Sequence, residues 1–407
     1  MKSDLRIAFG SVPKDSGTFT FYRNISPALR SHGITMYCVA VGKDQSLLWD
    51  ESFADGGCVL LAPNTYNIKR QAREFVAWCC DLQIDIVMGI NSEAILSSIP
   101  HLPASIRVVS RCANGFDHGY RITLSGKSRL QAIIAITPRL RDDLLHHYGA
   151  NRDIMHLIPN GIDFAKFDEI EAKVVKRNKA LHLGFLGRLE HTQKGVLHIP
   201  DLLKSLSKLN VDYHLSIAGK GADRERLEQA LLPWVNEGRV TFLGSLSRES
   251  VPKFLSKLDV YVFPSHFEGC PNSLLEAMMA GCVTVAWKIK GITDFLLKDK
   301  ETGFLHEIGD YEEMANNIRL LSKNRVLLEE MSTAVRKDAR ARFDPKLVAQ
   351  DYAAVFKSVM AKFQSHIKPL DWQFFQPDSN FKQKGDKFLS RRLKKIIKGI
   401  IFPKKAR

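Results

Sequence analysis

Short apolar runs alternate with helical stretches along the chain, and this alternation stops once and then restarts. In the first part, residues 5–9 and 34–41 are typical of buried strands, and a helical stretch ending near Gly33 separates them. Buried apolar strands that alternate with helices indicate a parallel sheet with helices on both faces. After a charged segment at 166–180, the strand series resumes at 181–186. We therefore expect an α/β protein with two Rossmann-like, doubly wound parallel-sheet domains.

The restart divides the chain into successive parts. We assign an N-terminal domain to 1–165, a linker to 166–180 and a C-terminal domain to 181–345. A helical pattern follows over 346–365, and the remaining residues, 366–407, form a basic tail. Each sheet domain has the length of an ordinary globular domain with its own core.

Charge and composition exclude several classes of protein. The 407 residues carry a formal charge of +15, and eleven Lys and Arg against one Asp place +10 of it in 382–407. The body is therefore only mildly basic, which argues against a surface that coats nucleic acid. The longest near-apolar run, 277–287, is too short to cross a bilayer, and the N-terminus lacks the pattern of a signal peptide. Seven cysteines without zinc spacing favour reduced thiols in the cytoplasm.

The densest motif, PSHFEGCPNSLLEAM, covers 264–278. A strand ends in a loop that carries Glu268, and Pro271 then opens a helix that carries Glu276. The N–H groups at the start of a helix can hold an anion, and the two carboxylates can accept hydroxyl hydrogen bonds. A nucleotide sugar presents such an anion flanked by hydroxyl groups; the alternative is an ordinary strand–loop–helix with two surface glutamates. The predicted nucleotide-sugar contacts in this motif are Glu268, Asn272, Ser273, Leu274 and Glu276.

A second motif follows the first strand of the second half and contains Gly187, Arg188 and Lys194. Ligands of open α/β sheets bind at the carboxyl ends of the strands, which is where Arg188 falls. Arginine offers a planar fork to phosphate oxygens, and lysine offers a point charge. The motif therefore predicts a diphosphate site, and the alternative is a surface loop with two solvated cations.

Together these strings resemble the retaining glycosyltransferases of family 4, which have the GT-B fold. Glu268 and Glu276 match the E-x7-E signature of that family, and PNGID at 159–163 and AGKG at 218–221 stand in the family's order. The resemblance extends over about residues 4–360. It implies two domains that face a cleft, and transfer of a sugar from a nucleotide diphosphate to an acceptor hydroxyl with the anomeric configuration kept.

The resemblance also implies roles for the motif residues. Arg188 and Lys194 would bind the diphosphate and stabilise it as it leaves, with Gly187 beside them. Glu276 would hold the ribose, and Glu268 would hold hydroxyl groups of the sugar. We therefore expect Arg188, Lys194 and Glu268 among the catalytic residues.

Two further residues of the first half match features of this family. Gly17 corresponds to the glycine-rich first loop, although the usual double glycine is absent; the alternative is a simple strand-to-helix turn. His118 lies where the family often has a functional histidine facing the donor sugar, and we include it among the catalytic residues. The flanking pattern of His118 is not standard, and the alternative is a structural or solvated histidine.

The family resemblance leads to a specific functional hypothesis. We expect a hexosyltransferase that uses a UDP-sugar, because such donors are common in the family, and a saccharide or lipid-linked saccharide acceptor in surface polysaccharide or lipopolysaccharide assembly. No Asp-x-Asp motif is present, so we expect no metal on the diphosphate and no other cofactor. The alternatives are a sugar-nucleotide epimerase of the same fold and an inactive, membrane-bound partner of another transferase.

The basic tail predicts a partner of its own. Within 386–402 the apolar side chains fall on one helical face and the cations on the remaining surface. A basic amphipathic helix is typical of proteins that bind a membrane surface. We expect 386–407 to bind an anionic membrane and to attach the protein peripherally to its inner face. A packed or disordered basic end is one alternative; a nucleic-acid arm is another, disfavoured because few aromatic residues are present for base stacking.

Overall fold

The first half of the chain forms one parallel sheet. The structure, a computed structural model, describes residues 4–13, 16–168, 180–362 and 368–381. Its first seven strands are β1 (Leu5–Gly10), β2 (Ile34–Val41), β3 (Cys58–Leu61), β4 (Ile86–Gly89), β5 (Arg107–Cys112), β6 (Leu130–Ala135) and β7 (Met155–Leu157). They lie in the order β3-β2-β1-β4-β5-β6-β7, and each neighbouring pair runs parallel.

The second half forms a separate parallel sheet. Its strands are β8 (Leu181–Leu186), β9 (Tyr213–Ala218), β10 (Val240–Gly244), β11 (Val260–Phe263), β12 (Val283–Trp287) and β13 (Gly303–His306). They lie in the order β10-β9-β8-β11-β12-β13. In both sheets the strand order reverses beside the first strand, and the crevice at such a reversal is where open α/β sheets bind ligands.

Helices connect the strands of both sheets. Those of the first half are α1 (Gly17–Arg30), α2 (Lys43–Ser46), α3 (Ile68–Asp81), α4 (Glu93–Ser98), α5 (Asp117–Thr123), α6 (Pro138–His147) and α7 (Ala165–Asp168). Those that follow are α8 (His191–Lys194), α9 (Ile199–Lys208), α10 (Arg224–Asn236), α11 (Ser250–Leu255), α12 (Asn272–Met279), α13 (Thr293–Leu296), α14 (Tyr311–Lys323), α15 (Arg325–Phe343) and α16 (Pro345–Ala361). Helix α1 begins where the side chain of Ser16 accepts the N–H of Phe19 at 3.3 Å, a standard N-cap.

The expected fold class is confirmed: two Rossmann-like parallel-sheet domains are present. The apolar runs at 34–41 and 181–186 are the strands β2 and β8. The sequence missed β3, β7 and β13, which have only three or four residues each. Runs that short are indistinguishable from loops by periodicity alone.

The last long helix, α16, returns to the first half of the chain. Its buried residues Tyr352 and Phe356 join the core that contains Phe9 and Phe21. The rings of Phe21 and Tyr352 lie 5.2 Å apart. The C-terminal helix predicted at 346–365 therefore belongs to the core of the N-terminal sheet, although its residues follow the C-terminal domain in sequence.

Residues 368–381 pack on the N-terminal sheet, whereas the sequence assigned them to the basic tail. Leu370 donates its N–H to the carbonyl of Pro100 at 2.8 Å, and the ring of Trp372 stacks on His101 at 4.2 Å. We call this stretch the C-terminal strap. Residues 169–179 of the predicted linker and the membrane-binding stretch 386–407 lie outside the described residues.

None of the described helices combines the length and the apolar character that a membrane crossing needs.

Candidate active site

Both predicted motifs lie at the carboxyl ends of neighbouring strands of the second sheet. The loop after β8 carries Arg188 and Lys194, and the loop after β11 carries Glu268 before α12 begins. Because β8 and β11 are adjacent and parallel, their loops meet at one edge of the sheet. The structure therefore brings the two motifs together, although they are about 80 residues apart in sequence.

A buried ion pair joins the two loops. Lys194 Nζ donates to Glu268 Oε1 at 2.6 Å, and the side chains of Lys194 and Glu268 are only 14% and 6% exposed. A charge-assisted hydrogen bond in a site with little water is stronger than the same pair at the surface. The pair holds the ammonium group of Lys194 at the mouth of the sheet, where it would meet an incoming anion.

Gln193 extends this contact to Arg188. Its amide nitrogen donates to Glu268 Oε2 at 3.3 Å, and its amide oxygen accepts a hydrogen bond from Arg188. The guanidinium group of Arg188 is exposed and is oriented by this bond. Gln193 was not among the predicted site residues, so the sequence missed its role as the link between Arg188 and Glu268.

Two glycines allow the loops to approach so closely. Gly195 has φ of +61°, and a Cβ atom there would lie 1.9 Å from the carbonyl oxygen of Pro264. A Cβ atom on Gly269 would lie 2.3 Å from the carbonyl oxygen of Ala113, in the other domain. Only glycine fits at such distances. Gly195 thus allows the loop of Lys194 to pack against the end of β11, and Gly269 allows the loop of Glu268 to pack against the N-terminal domain.

A chain of polar side chains crosses from the N-terminal domain to the start of α12. Asn160 Nδ2 donates to Asn272 Oδ1 at 2.8 Å, and Asn160 Oδ1 accepts from Arg111 Nη2 at 2.5 Å. Arg111 Nε also donates to the hydroxyl of Tyr352 at 3.0 Å, and its guanidinium lies 3.9 Å from the centre of the Phe21 ring. These hydrogen bonds orient the side chain of Asn272 and hold the guanidinium group of Arg111 between the two domains.

Arg111 is a buried charge that its described surroundings only partly satisfy. It is 2% exposed, and its Nη1 atom has no hydrogen-bond partner among the described residues. Burying a cation without an opposite charge is costly, so such a group favours an anion beside it. Arg111 was not among the site residues that the sequence predicted.

Glu276 faces a second space between the domains. It lines a cavity of about 130 Å³ with Thr20 and Arg23 of α1 and with Lys166 and Arg248. Burial raises the pKa of Glu276 to about 7, and the charges of Arg248 and Lys166 oppose this shift. Near neutral pH the carboxyl group of Glu276 can therefore be present in both its protonated and its ionised form, and the ionised form can accept a hydrogen bond from a hydroxyl group.

A second, larger cavity is lined in part by Cys270 of the loop after β11. It has a volume of about 610 Å³, and its lining includes Gly17, Arg111, Asn114, Asn160, Cys270 and Phe381. Gly17 is the first residue of α1, and a Cβ atom there would lie 3.6 Å from the side-chain nitrogen of Asn272. Gly17 therefore lies across the cleft from α12, and its predicted contact with the nucleotide sugar stays a prediction. Phe381 comes from the C-terminal strap, which the sequence did not place near the site.

His118 lies beside this cavity but is not among its described lining residues. It occupies the first turn of α5, is half-buried, and contacts the ring of Phe381 edge-on at 5.4 Å. The structure thus places His118 behind Phe381 rather than next to Glu268 or Lys194. Its predicted contact with the donor sugar stays a prediction.

The other predicted contacts differ in what they can offer. Leu274 is fully buried in the core, and its N–H donates to the carbonyl of Pro271 at 3.1 Å. Ser273 is partly exposed in the first turn of α12. Gly187 follows β8, and its N–H bonds the carbonyl of Ala218 at 3.0 Å. Among these three residues, Ser273 alone presents a polar side chain at the predicted anion site.

Comparison with known proteins places this arrangement in a family. Residues 16–166 match the family described as Glycosyltransferase Family 4, and residues 166–341 match Glycosyl transferases group 1. An uncharacterized glycosyltransferase of Haemophilus influenzae is 31% identical over 339 residues, which make up 80% of this chain and 92% of that protein. Three other curated relatives match in part, and this chain spans 51%, 44% and 35% of their lengths.

Solved structures show the same fold at low identity. A glycosyltransferase of Rickettsia africae has a TM-score of 0.73 at 15% identity, covering 88% of this chain and 100% of that one. Anabaena HepE, solved in complex with UDP-glucose, has a TM-score of 0.67 at 17% identity, covering 87% and 100%. With both of its domains matched and a relative aligned over most of its length, the chain belongs to the family 4 glycosyltransferases.

Proposed function

We propose that the chain is a retaining hexosyltransferase. It transfers a hexose from a UDP-sugar to a hydroxyl group of a saccharide or lipid-linked saccharide, in surface polysaccharide or lipopolysaccharide assembly. The observation that carries this proposal is the buried Lys194–Glu268 pair, which joins the predicted diphosphate loop to the predicted sugar loop at 2.6 Å. A donor that presents diphosphate and sugar side by side would contact both members of the pair.

The leaving group would be stabilised by charge. Arg188 is exposed at the carboxyl end of β8, and Lys194 lies beside it with its ammonium group already oriented by Glu268. Oriented cations stabilise the negative charge that develops on a departing diphosphate without reorganising during the reaction. We propose that these two cations, with the N–H groups at the start of α12, do this without a metal on the diphosphate.

The donor would lie with its ribose at Glu276 and its sugar at Glu268. Glu276 opens onto the smaller cavity next to α1, and its carboxylate can accept hydrogen bonds from two hydroxyl groups of a ribose. Glu268 is held by Lys194 and Gln193 and offers its remaining lone pairs to sugar hydroxyls. A complex of the structural relative HepE contains UDP-glucose, which supports a UDP-sugar as donor.

The acceptor would enter the cavity of about 610 Å³. This space can hold a saccharide unit, and its polar lining includes Asn114 and Asn160. Arg111 is buried, and its Nη1 has no partner among the residues that the structure describes, so it would favour an acceptor that carries a negative group such as phosphate. A diphosphate-linked lipid saccharide has this character.

Two rival functions make different predictions. A sugar-nucleotide epimerase of the same fold would convert the donor when no acceptor is present. An inactive membrane-bound partner would neither release nucleotide nor transfer sugar. The intact set of Arg188, Lys194, Glu268 and Glu276 favours an active transferase.

A thermal-shift screen tests the choice of donor. UDP, GDP, ADP and their sugars should be added to the full chain, because a ligand that binds only the folded state raises the melting temperature. We expect UDP-sugars to give the largest shift and the other bases to give little. A larger shift with GDP- or ADP-sugars would correct the base, and no shift with any of them would contradict the proposed function.

We also propose that 386–407 attaches the enzyme peripherally to the inner face of the membrane. Residues 382–407 carry a net charge of +10, and each cation near an anionic leaflet contributes about 1 kcal/mol. The C-terminal strap ends at Phe381, which lines the acceptor cavity. Attachment there would hold this cavity close to a lipid-linked acceptor.

Truncation after Phe381 tests the attachment. The strap packs on the N-terminal sheet, so the cut should follow it and leave the body folded. We expect the shortened chain to keep its activity on a soluble acceptor but to lose flotation with anionic vesicles. Binding of the full chain should weaken with salt, because charges are screened over about 8 Å at physiological ionic strength. Equal flotation of both chains, or tight binding of nucleic acid instead, would contradict this role.

A further inference from the structure

Three histidines converge beside the diphosphate loop. His191 lies between Arg188 and Lys194, His198 precedes α9, and His266 stands two residues before Glu268. One ring nitrogen from each lies within 4.8 Å of the others, and this is the one such cluster of metal-binding groups found in the described part of the chain. The ring centres of the three pairs are 5.1, 5.1 and 4.9 Å apart.

The surroundings orient two of these rings so that their Nε2 atoms share a hydrogen bond, which a metal would replace with loss of its proton. His266 Nδ1 donates to the carbonyl of Thr192 at 3.1 Å, which leaves a lone pair on Nε2. His198 Nδ1 bonds the hydroxyl of Tyr311 at 2.6 Å, and its Nε2 faces His266 Nε2, also at 2.6 Å. Metal-binding histidines usually have their other nitrogen bonded to an oxygen in this way.

The third ring and its surroundings complete the cluster. His191 Nδ1 accepts the N–H of Leu197 at a long 3.3 Å, a weak bond that a metal could replace. Asp223 accepts the backbone N–H of His191 at 2.7 Å and brings a negative charge close to the cluster. The edge of the fully buried Trp287 lies against His198, with ring centres 5.7 Å apart.

We propose that His191, His198 and His266 form a site for a divalent transition metal, with Zn²⁺ as the best match. Three imidazoles with an open fourth position are a common zinc arrangement, and imidazole also suits Cu²⁺, Ni²⁺ and Co²⁺. Zinc–nitrogen bonds of about 2.0–2.1 Å in tetrahedral geometry separate the ligand nitrogens by about 3.3 Å. The facing nitrogens of His198 and His266 would move apart by less than 1 Å, which side-chain rotation allows.

The metal would tie together the two loops of the active site. His191 belongs to the loop of Arg188 and Lys194, and His266 belongs to the loop of Glu268. Lys194 and Glu268 already join these loops through one ion pair, and the metal would add a second link between the same two loops. Metal binding by the three histidines does not depend on the proposed transferase activity.

Titration of the untagged full chain with CoCl₂ alone tests the site. Cobalt bound by imidazoles shows visible ligand-field bands, so the spectrum reports the ligands directly and needs no activity assay. We expect one Co²⁺ per chain, displaced by Zn²⁺, and a rise in melting temperature with either metal. His266→Gln and His191→Gln should each weaken binding by more than about 10²-fold, and Tyr311→Phe by about 10-fold, because orienting partners of ligands contribute to affinity.

His214→Gln is the matched control. His214 lies next to His182 on the second sheet, with ring centres 5.4 Å apart, and belongs to a pair rather than to the cluster of three. This variant should bind Co²⁺ as the wild type does. Circular dichroism and melting curves show whether each variant is folded. Co²⁺ binding that is unchanged in folded His191→Gln and His266→Gln, or that falls equally in His214→Gln, would overturn the proposal.

Discussion

Arg188→Ala is expected to lower the turnover of sugar transfer by about 10²-fold or more without unfolding the protein. Arg188 is exposed and bonds only Gln193 among the described contacts, so its removal leaves no buried charge unpaired. The expected loss is that of one oriented group that stabilises developing charge. Initial rates at saturating donor measure it.

Lys194→Ala should cause a similar loss of turnover but also a loss of stability. Lys194 is the buried partner of Glu268, and removing one member of a buried pair costs about 3–5 kcal/mol. Arg224→Ala and Lys204→Ala are matched controls, because both residues form exposed ion pairs on neighbouring helices. Wild-type turnover in both Arg188→Ala and Lys194→Ala would remove this loop from the active site.

Glu276→Gln should weaken the binding of free UDP by about 1.5–3 kcal/mol, the scale of a hydrogen bond to a charged group. This equals a rise in Kd of roughly 10- to 100-fold. Glu268→Gln should instead weaken binding of the sugar part and leave UDP affinity nearly unchanged or slightly higher, because it frees Lys194 from its counter-charge. Calorimetric titration with UDP and with the UDP-sugar separates the two effects. Equal loss of UDP affinity in both variants would refute this division of roles.

The raised pKa of Glu276 makes these effects depend on pH. In the proposed site the ionised carboxylate of Glu276 would hold the ribose, so UDP affinity should be high above pH 7 and fall as the pH drops through about 7. The free energy of unfolding should vary with pH in the opposite sense. A carboxyl group whose pKa is higher in the folded than in the unfolded protein favours folding at pH values below its unfolded pKa. This contribution is lost as the pH rises through about 7. Glu276→Gln should therefore melt about 2–4 °C higher than the wild type at pH 8. Near pH 4.5, and in an exposed control such as Glu228→Gln, little difference is expected.

The sequence predicted the fold class because strand and helix periods are local properties of the chain. The strands β2 and β8 begin and end at the predicted residues, since each is a mostly apolar run. It also predicted that Lys194 and Glu268 share a site, because both motifs follow strands of one sheet. Their direct ion pair depends on which strands are adjacent, and that order is not a local property.

The missed residues depend on the tertiary structure. Each of them is positioned by a residue that is distant in sequence. Gln193 bonds Glu268, Arg111 bonds Asn160, and the ring of Phe381 contacts His118. The histidine cluster was missed for the same reason. The three histidines of this cluster come from two separate loops, so no short sequence motif contains all of them.

The C-terminal strap shows a different limit. Residues 368–381 mix polar and aromatic residues without a regular period and contain two prolines, which is typical of a loop or tail. The sequence therefore grouped them with the basic residues that follow. They pack through a few aromatic contacts, such as Trp372 on His101, that have no periodicity. The position of such a short, non-periodic segment is determined by the surface on which it packs, and that surface forms only in the folded protein.

The most direct test of the central claim is the anomeric configuration of the product. The full chain should be incubated with an α-linked UDP-hexose, with and without a saccharide acceptor, and the mixture followed by proton NMR. We predict that UDP release requires the acceptor, and that the new glycosidic bond keeps the α configuration. A β-linked product would contradict retention, and conversion of the donor to its epimer without acceptor would contradict transferase function itself.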